Sequence, residues 1–137
     1  MTPEQKGLLL KDLCARLPYD IKFPITWPDP ITSEPIEITG TISDINRYGI
    51  VSFVWDYEGQ EILQKNDLHI KDVKPYLFPL SSMTDEQSIE YRNLCERYCP
   101  ASIYSMEIID WLNKIHFDYR GLIEKGLALD ATNLNIY

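Results

Sequence analysis

His116, Asp118 and Asp110 fall close together in the last third of the chain, and an imidazole oriented by a carboxylate is the minimal unit of acid–base catalysis. No recognisable nucleophile accompanies the unit. The chain carries no Gly-x-Ser-x-Gly elbow, no phosphate-cradling glycine loop and no His-Glu-x-x-His helix, so an enzyme is not expected. His116 is expected instead to close its helix, where an imidazolium complements the helix dipole. Asp118-Tyr119-Arg120 is expected to be a turn held by an ion pair. Cys95 and Cys99 have the spacing at which two ligands share a helix face, and His69 or His116 would complete a zinc set. Two small apolar fillers are the simpler expectation for these thiols, and no metal or cofactor is expected. Asp56, Glu58 and Glu61 place acid around one turn; a solvated hairpin tip is the expected reading, with a site for a cation or a basic partner as the alternative.

Binding chemistry is better represented. The chain has nine tyrosines and three tryptophans, and aromatic side chains build protein-binding faces or stack on bases. Trp27, Tyr48, Tyr57 and Tyr76 lie on or beside expected turns and are the candidate binding residues. Trp27, between Pro24 and Pro28, is either displayed on a stiff extended loop or folded back as a lid over the core.

The elements that must position these residues follow from patterning. Thr2-Pro3-Glu4-Gln5 is a capping box with proline at the first helical position. It predicts a helix over 2–17 with Leu9, Leu10, Leu13, Cys14 and Leu17 on one face. Residues 21–25 read as an edge strand and 26–34 as a proline-rich loop. Alternation over 35–46 and 48–57 predicts a hairpin, with Ile36, Ile38 and Ile42 facing Val51, Phe53, Trp55 and Tyr57 about the Asn46-Arg47-Tyr48-Gly49 turn. A short strand over 61–63, a turn at Asn66-Asp67 and a strand from Leu68 to Val73 complete a β module over 21–78. Its short strands suggest a small antiparallel SH3-like barrel, with an open meander as the alternative.

The joint follows, with Tyr76, Leu77 and Phe78 as an apolar cluster between Pro75 and Pro79. A second capping box, Thr84-Asp85-Glu86-Gln87, opens a helix that presents Tyr91, Leu94, Cys95 and Tyr98. Pro100 ends it. Ser105 caps a third helix carrying Ile108, Ile109, Trp111, Leu112 and Ile115. Asp118 caps a short helix over 119–125 that stops at Gly126 in a Schellman-type ending with Leu127. The fold class is therefore α+β: a β module flanked by an N-terminal helix and a helical hairpin within 84–126, with a loose tail over 130–137.

At 137 residues this is one domain, 1–137. The net charge of -8 and pI of about 4.7 argue against nucleic acid as a partner. The densest basic run, Lys65, Lys71 and Lys74 with His69, is interrupted by Asp67 and Asp72 and reads as a solvated face. No stretch reaches the roughly 20 apolar residues of a membrane span, and the first ten residues lack a secretion leader. Three unframed cysteines fit reduced thiols, and a cytoplasmic location is expected.

Three runs, MTPEQKGLLLKDLCARLPY at 1–19, DVKPYLFPLSSMTDEQ at 72–87 and DWLNKIHFDYRGLIEKGLALDA at 110–131, resemble a group of small uncharacterised proteins carried by gut anaerobes and by their phages and prophages. Phe78 departs from the basic residue the resemblance leads one to expect at the joint. What the resemblance implies is a mobile-element setting and a β middle with helical ends; it carries no activity or cofactor. Two functions remain. One is a non-enzymatic module that binds a protein partner through its aromatic loops, its helices supporting self-association. The other is a small-ligand binder, such as an anti-defence protein that sequesters a nucleotide signal.

Overall fold

The computed structural model describes residues 1–97 and 106–137. Tyr98, Cys99, Pro100 and Ser105 lie outside the described residues, and with them the end of the second helix, the Cys95–Cys99 pair and the cap of the third.

Helix α1 spans Pro3–Arg16, and its capping box is complete: Gln5 N–H donates to the Thr2 hydroxyl at 3.1 Å and Thr2 N–H to the Gln5 side chain at 2.9 Å. The buried face departs from expectation. Leu9 and Leu13 are buried as anticipated, but Cys14 is exposed and the charged residues Asp12 and Arg16 are fully buried.

Four strands follow as an antiparallel sheet in the order β1 (Lys22–Pro28), β2 (Pro35–Ile45), β3 (Ile50–Tyr57), β4 (Gln60–His69). The sheet is an open meander, not a closed barrel: β1 and β4 are its two edges. Strand β1 runs further than expected and takes in Trp27; its prolines are tolerated because an edge strand can dispense with outward donors. The 61–63 strand and the first two residues of the strand expected from Leu68 to Val73 prove to be one element, β4. The expected turn at Asn66-Asp67 is a bulge within it: the pairing jumps from Phe53↔Gln64 to Val51↔Leu68, Asn66 sits at φ 56 and its N–H donates to the Ser52 hydroxyl at 2.8 Å. Ile70–Asp72 is a 3-10 turn rather than strand, capped by His69.

The hairpin faces are those the alternation predicts. Phe23, Ile42, Val51, Phe53, Trp55 and Leu68 are buried on one side of the sheet, and Leu9 and Leu13 of α1 cover them together with Ile70, Leu77, Leu122 and Leu127. Phe23 and Phe53 meet edge to face at 5.4 Å above Gly40. That glycine leaves the space both rings occupy.

The joint contains an element the sequence pattern concealed. Strand β5 (Tyr76–Pro79) is the centre of a second sheet, paired in parallel with β6 (Phe117–Asp118) on one side and β7 (Leu129–Asp130) on the other. Between β5 and β6 lie α2 (Asp85–Arg97) and α3 (Met106–Lys114), the crossover that parallel pairing requires. The Thr84 capping box of α2 is present, with both bonds made. The two helices have their own small core of Ile108, Leu112 and Phe117, against which Tyr91, Leu94, Cys95 and Trp111 pack.

Residues 119–125 form turns rather than the expected helix. The bonding at both ends of that segment is nevertheless as anticipated. The Asp118 carboxylate accepts from the N–H groups of Leu122 and Ile123, both at 2.9 Å. Leu127 N–H donates to Leu122 and Gly126 N–H to Ile123, the paired bonds of a Schellman ending. Nor is the tail loose: the Tyr137 hydroxyl accepts from Lys22 N–H and donates to the Tyr76 carbonyl, each at 2.9 Å, joining the edge of the first sheet to the centre of the second. Among the described residues no helix is long and apolar enough to cross a membrane.

Candidate ligand-binding site

The buried charges of α1 organise a polar cluster. Arg16 Nε donates to Asp12 at 2.7 Å, with both side chains fully buried, and Arg120 Nε reaches the same carboxylate at 3.1 Å. The i,i+4 spacing puts Asp12 and Arg16 on one helix face, while Arg120 arrives from the turn after β6. Arg16 also donates to the Phe117 carbonyl at 2.7 Å. Tyr119 packs among these groups: the Arg16 and Arg120 guanidinium carbons lie 5.0 and 5.1 Å from its ring centroid, and its hydroxyl donates to Asn113 at 2.8 Å. Two guanidinium groups thus share one carboxylate. The cluster holds one positive charge that no side chain within it neutralises.

Beside it opens a cavity of about 390 Å³ walled by α1, the joint, α2, α3 and the turn after β6. Lys11 and Arg120 supply cations, Tyr91 and Tyr119 supply hydroxyls and ring faces, and Leu80, Ile109 and Leu112 supply apolar surface. Tyr91 is held by stacking on Trp111 at 5.9 Å. Burial, and then the neighbouring Cys95 thiol, push its phenol above the ordinary value, so it stays protonated and able to donate. The described lining residues comprise cations, hydroxyls and aliphatic groups, without a carboxylate, imidazole or thiol among them. The combination suits an anion carried on an apolar body. Arginine offers a fork to a carboxylate or phosphate, and the aliphatic and aromatic walls take up the remainder.

The expected acid–base unit does not assemble. Asp118 is committed to its two backbone donors, and Asp110 is exposed. His116 follows α3 in the left-handed region at φ 65 and is buried, its ring stacked on Tyr137 at 3.5 Å with an interplanar angle of 13°. Burial first, and then the Arg16 guanidinium, lower its pKa to about 4. The ring is therefore neutral near pH 7 and does not serve its helix end as an imidazolium. The expected Asp118–Arg120 ion pair is replaced by Arg120–Asp12. Among the described residues no group of three or more His, Cys, Asp or Glu side chains is placed to hold a metal ion.

The four aromatic candidates occupy separate places. Trp27 lies in β1, half-buried with its ring edge-on to Phe53 at 5.2 Å, which is the lid arrangement rather than the displayed one. Tyr57, half-buried, donates to Asp29 at 3.3 Å and so closes the same end of the sheet. Tyr48 is 65% exposed at the tip of the β2–β3 turn. Tyr76 sits in β5, half-buried, with its carbonyl bonded to Tyr137. None of the four lines the cavity among the helices.

Of that cavity's residues, Tyr91, Ile109 and Leu112 were legible as apolar helix faces, and Arg120 as an ion-paired turn residue. Lys11 and Leu80 carry no periodic signal. The buried Asp12–Arg16 pair was detectable in principle, since an i,i+4 acid–base pair between Leu9, Leu13 and Leu17 lies on the apolar face. No protein-family model matches the chain, and no curated protein or solved structure matches it either.

Proposed function

We propose that this chain is a non-enzymatic binding protein that takes up a small amphipathic anion in the cavity among its helices. In view of its resembling stretches, we also propose that it comes from a phage or another mobile element. The observation that carries the reading is the pair of guanidinium groups on the single Asp12 carboxylate at the wall of an apolar, aromatic cavity. A ligand carboxylate or phosphate on Arg120 and Lys11 would neutralise the surplus charge, and its apolar body would cover Leu80, Ile109 and Leu112. Nucleotide signals belong to this class, as do aryl and branched-chain acids.

Thermal unfolding over matched pairs of acids and their neutral amides or esters tests the reading. A ligand at about a hundredfold excess over its Kd adds about 2.7 kcal/mol to stability, which raises Tm by roughly 10 °C in a chain of this size. The acids should raise Tm and their neutral partners should not. Equal responses from both members of each pair, or none from either, would remove the charge argument.

A second reading retains a protein partner. It draws on the β2–β3 tip, where Tyr48 is exposed and the Arg47 guanidinium lies 5.2 Å from its ring centroid. Tyrosine and arginine together are common anchors of protein interfaces. Loss of a captured partner on Tyr48→Ala would favour this reading; capture unchanged by that substitution would count against it.

A further inference from the structure

Away from the cavity among the helices, the N-terminal end of α1 meets the 3-10 turn at Ile70–Asp72, and a hydrogen-bond conflict is built into the contact. His69 caps that turn: its Nδ1 accepts the Lys71 N–H at 3.2 Å. A ring nitrogen that accepts carries no proton, so in the neutral imidazole the proton is on Nε2. Nε2 in turn faces the Lys6 ammonium at 3.5 Å, across 63 positions of sequence. Two donors therefore point into the same space.

His69 is not free to turn aside without loss: swinging it away would release the Lys71 amide. The Lys6 stem passes over the β2–β3 turn, its Cε 3.4 Å from the place a Cβ on Gly49 would take. Gly49 itself is at φ +79 and its carbonyl accepts Ile70 N–H at 2.7 Å, so the floor under Lys6 is fixed by backbone bonding. The open space around the pair is a cavity of about 630 Å³. Lys71 adds a second cation to its lining, Asp72 a carboxylate, and Thr2 and Pro3 the positive end of the α1 dipole.

We propose that the Lys6–His69 pair is an oxyanion site, binding the phosphate group of a phosphomonoester or free phosphate with one oxygen between Lys6 Nζ and His69 Nε2–H. An acceptor oxygen in that position converts the donor–donor conflict into two charge-assisted bonds. Lys71 and the helix dipole favour the anion further, and Asp72 opposes it. The site is independent of the cavity among the helices: neither Lys6 nor His69 lines that cavity.

The test is an NMR titration of the full chain, reading the His69 ring nitrogens while sodium phosphate replaces sodium chloride at constant ionic strength, and then phenyl phosphate replaces sodium chloride. The expected result is a saturable shift of His69 Nε2. Lys6→Met keeps the stem and removes the charge, and His69→Asn keeps a cap for the Lys71 amide while its shorter side chain draws the second donor back from Lys6; each should weaken binding at least fivefold, read for the asparagine variant from the Lys71 amide. Lys65→Met, on the exposed β4 bulge, should leave it unchanged. Tighter binding of phenyl phosphate would identify a phosphomonoester as the occupant, and equal binding would identify free phosphate. A shift that grows linearly without saturating, or one that survives Lys6→Met in a variant with unaltered Tm, would overturn the proposal.

Discussion

At the residue scale, the side chains that matter most are charged groups taken out of water. Asp12 is the one carboxylate between two guanidinium groups, and its side chain is fully buried. Removing it leaves Arg16 buried without its counter-ion, a loss of about 3–5 kcal/mol for pairs of this kind. Urea unfolding of Asp12→Ala should show a loss of that size, whereas Asp110→Ala, at an exposed site on α3, should stay within about 0.5 kcal/mol. A small effect at Asp12 would mean that the cluster is hydrated rather than sealed. His116 gives a second test. Its pKa falls from 6.5 to about 4 on folding, so between these values the unfolded chain holds more protons than the folded one. Stability must therefore decrease as pH drops from 6.5 toward 4, by up to about 3 kcal/mol, and be indifferent to this group above that window. His116→Phe keeps a ring against Tyr137 and should remove that part of the slope. Tyr137 retains 40% of its area exposed, yet its phenol is pushed up to about 12, by burial first. The hydroxyl, held between two backbone groups, is the part that titrates.

At the scale of elements, the periodic pieces were legible and the short ones were not. Both capping boxes, the hairpin of β2 and β3 with its buried alternation, and the ends of the Asp118–Leu127 segment could be read from residue type, because each is set by contacts a few residues apart. The second sheet could not. Strands β6 and β7 are two residues long, too short for any alternation, and their partner β5 is distant in sequence; its proline-flanked run read as an apolar cluster, and it is held by pairing as well as packing. The bulge in β4 concealed a continuous strand for the related reason that Asn66-Asp67 is turn-like in composition. Glycines provide the test at this scale. A Cβ at Gly40 would lie 2.9 Å from both Phe23 and Phe53, while one at Gly7 on α1 would meet nothing within 4 Å. Gly40→Ala should destabilise by about 1–3 kcal/mol through displaced rings, and Gly7→Ala should stabilise by about 0.5–1 kcal/mol through helix propensity. Thermal unfolding of the two variants should move Tm in opposite directions; a shared direction would contradict the packing described at the middle strands.

At the scale of the whole molecule, the chain places one face of an open antiparallel sheet against α1 and the last third of the sequence, and sets a second, smaller core between α2, α3 and β6. The cavity lies where these parts meet, which is why its lining comes from five separate stretches and could not be anticipated from any one of them. The aromatic candidates Trp27, Tyr57 and Tyr76 were singled out for standing near turns, but Trp27 and Tyr57 pack back on Phe53 and Trp55 of the sheet, and Tyr76 is half-buried in β5. Only Tyr48 stands mostly free. We therefore propose ligand binding among the helices rather than at the sheet loops. Methyl NMR of the full chain, with an amphipathic acid that raises Tm added stepwise, tests that claim most directly. Saturable shifts are expected at the methyl groups of Leu80, Ile109 and Leu112, abolished in Arg120→Met, with Ile36 and Ile62 on the sheet unmoved. Shifts confined to the sheet face around Trp27 and Tyr57, or shifts at Ile109 that persist without Arg120, would contradict it.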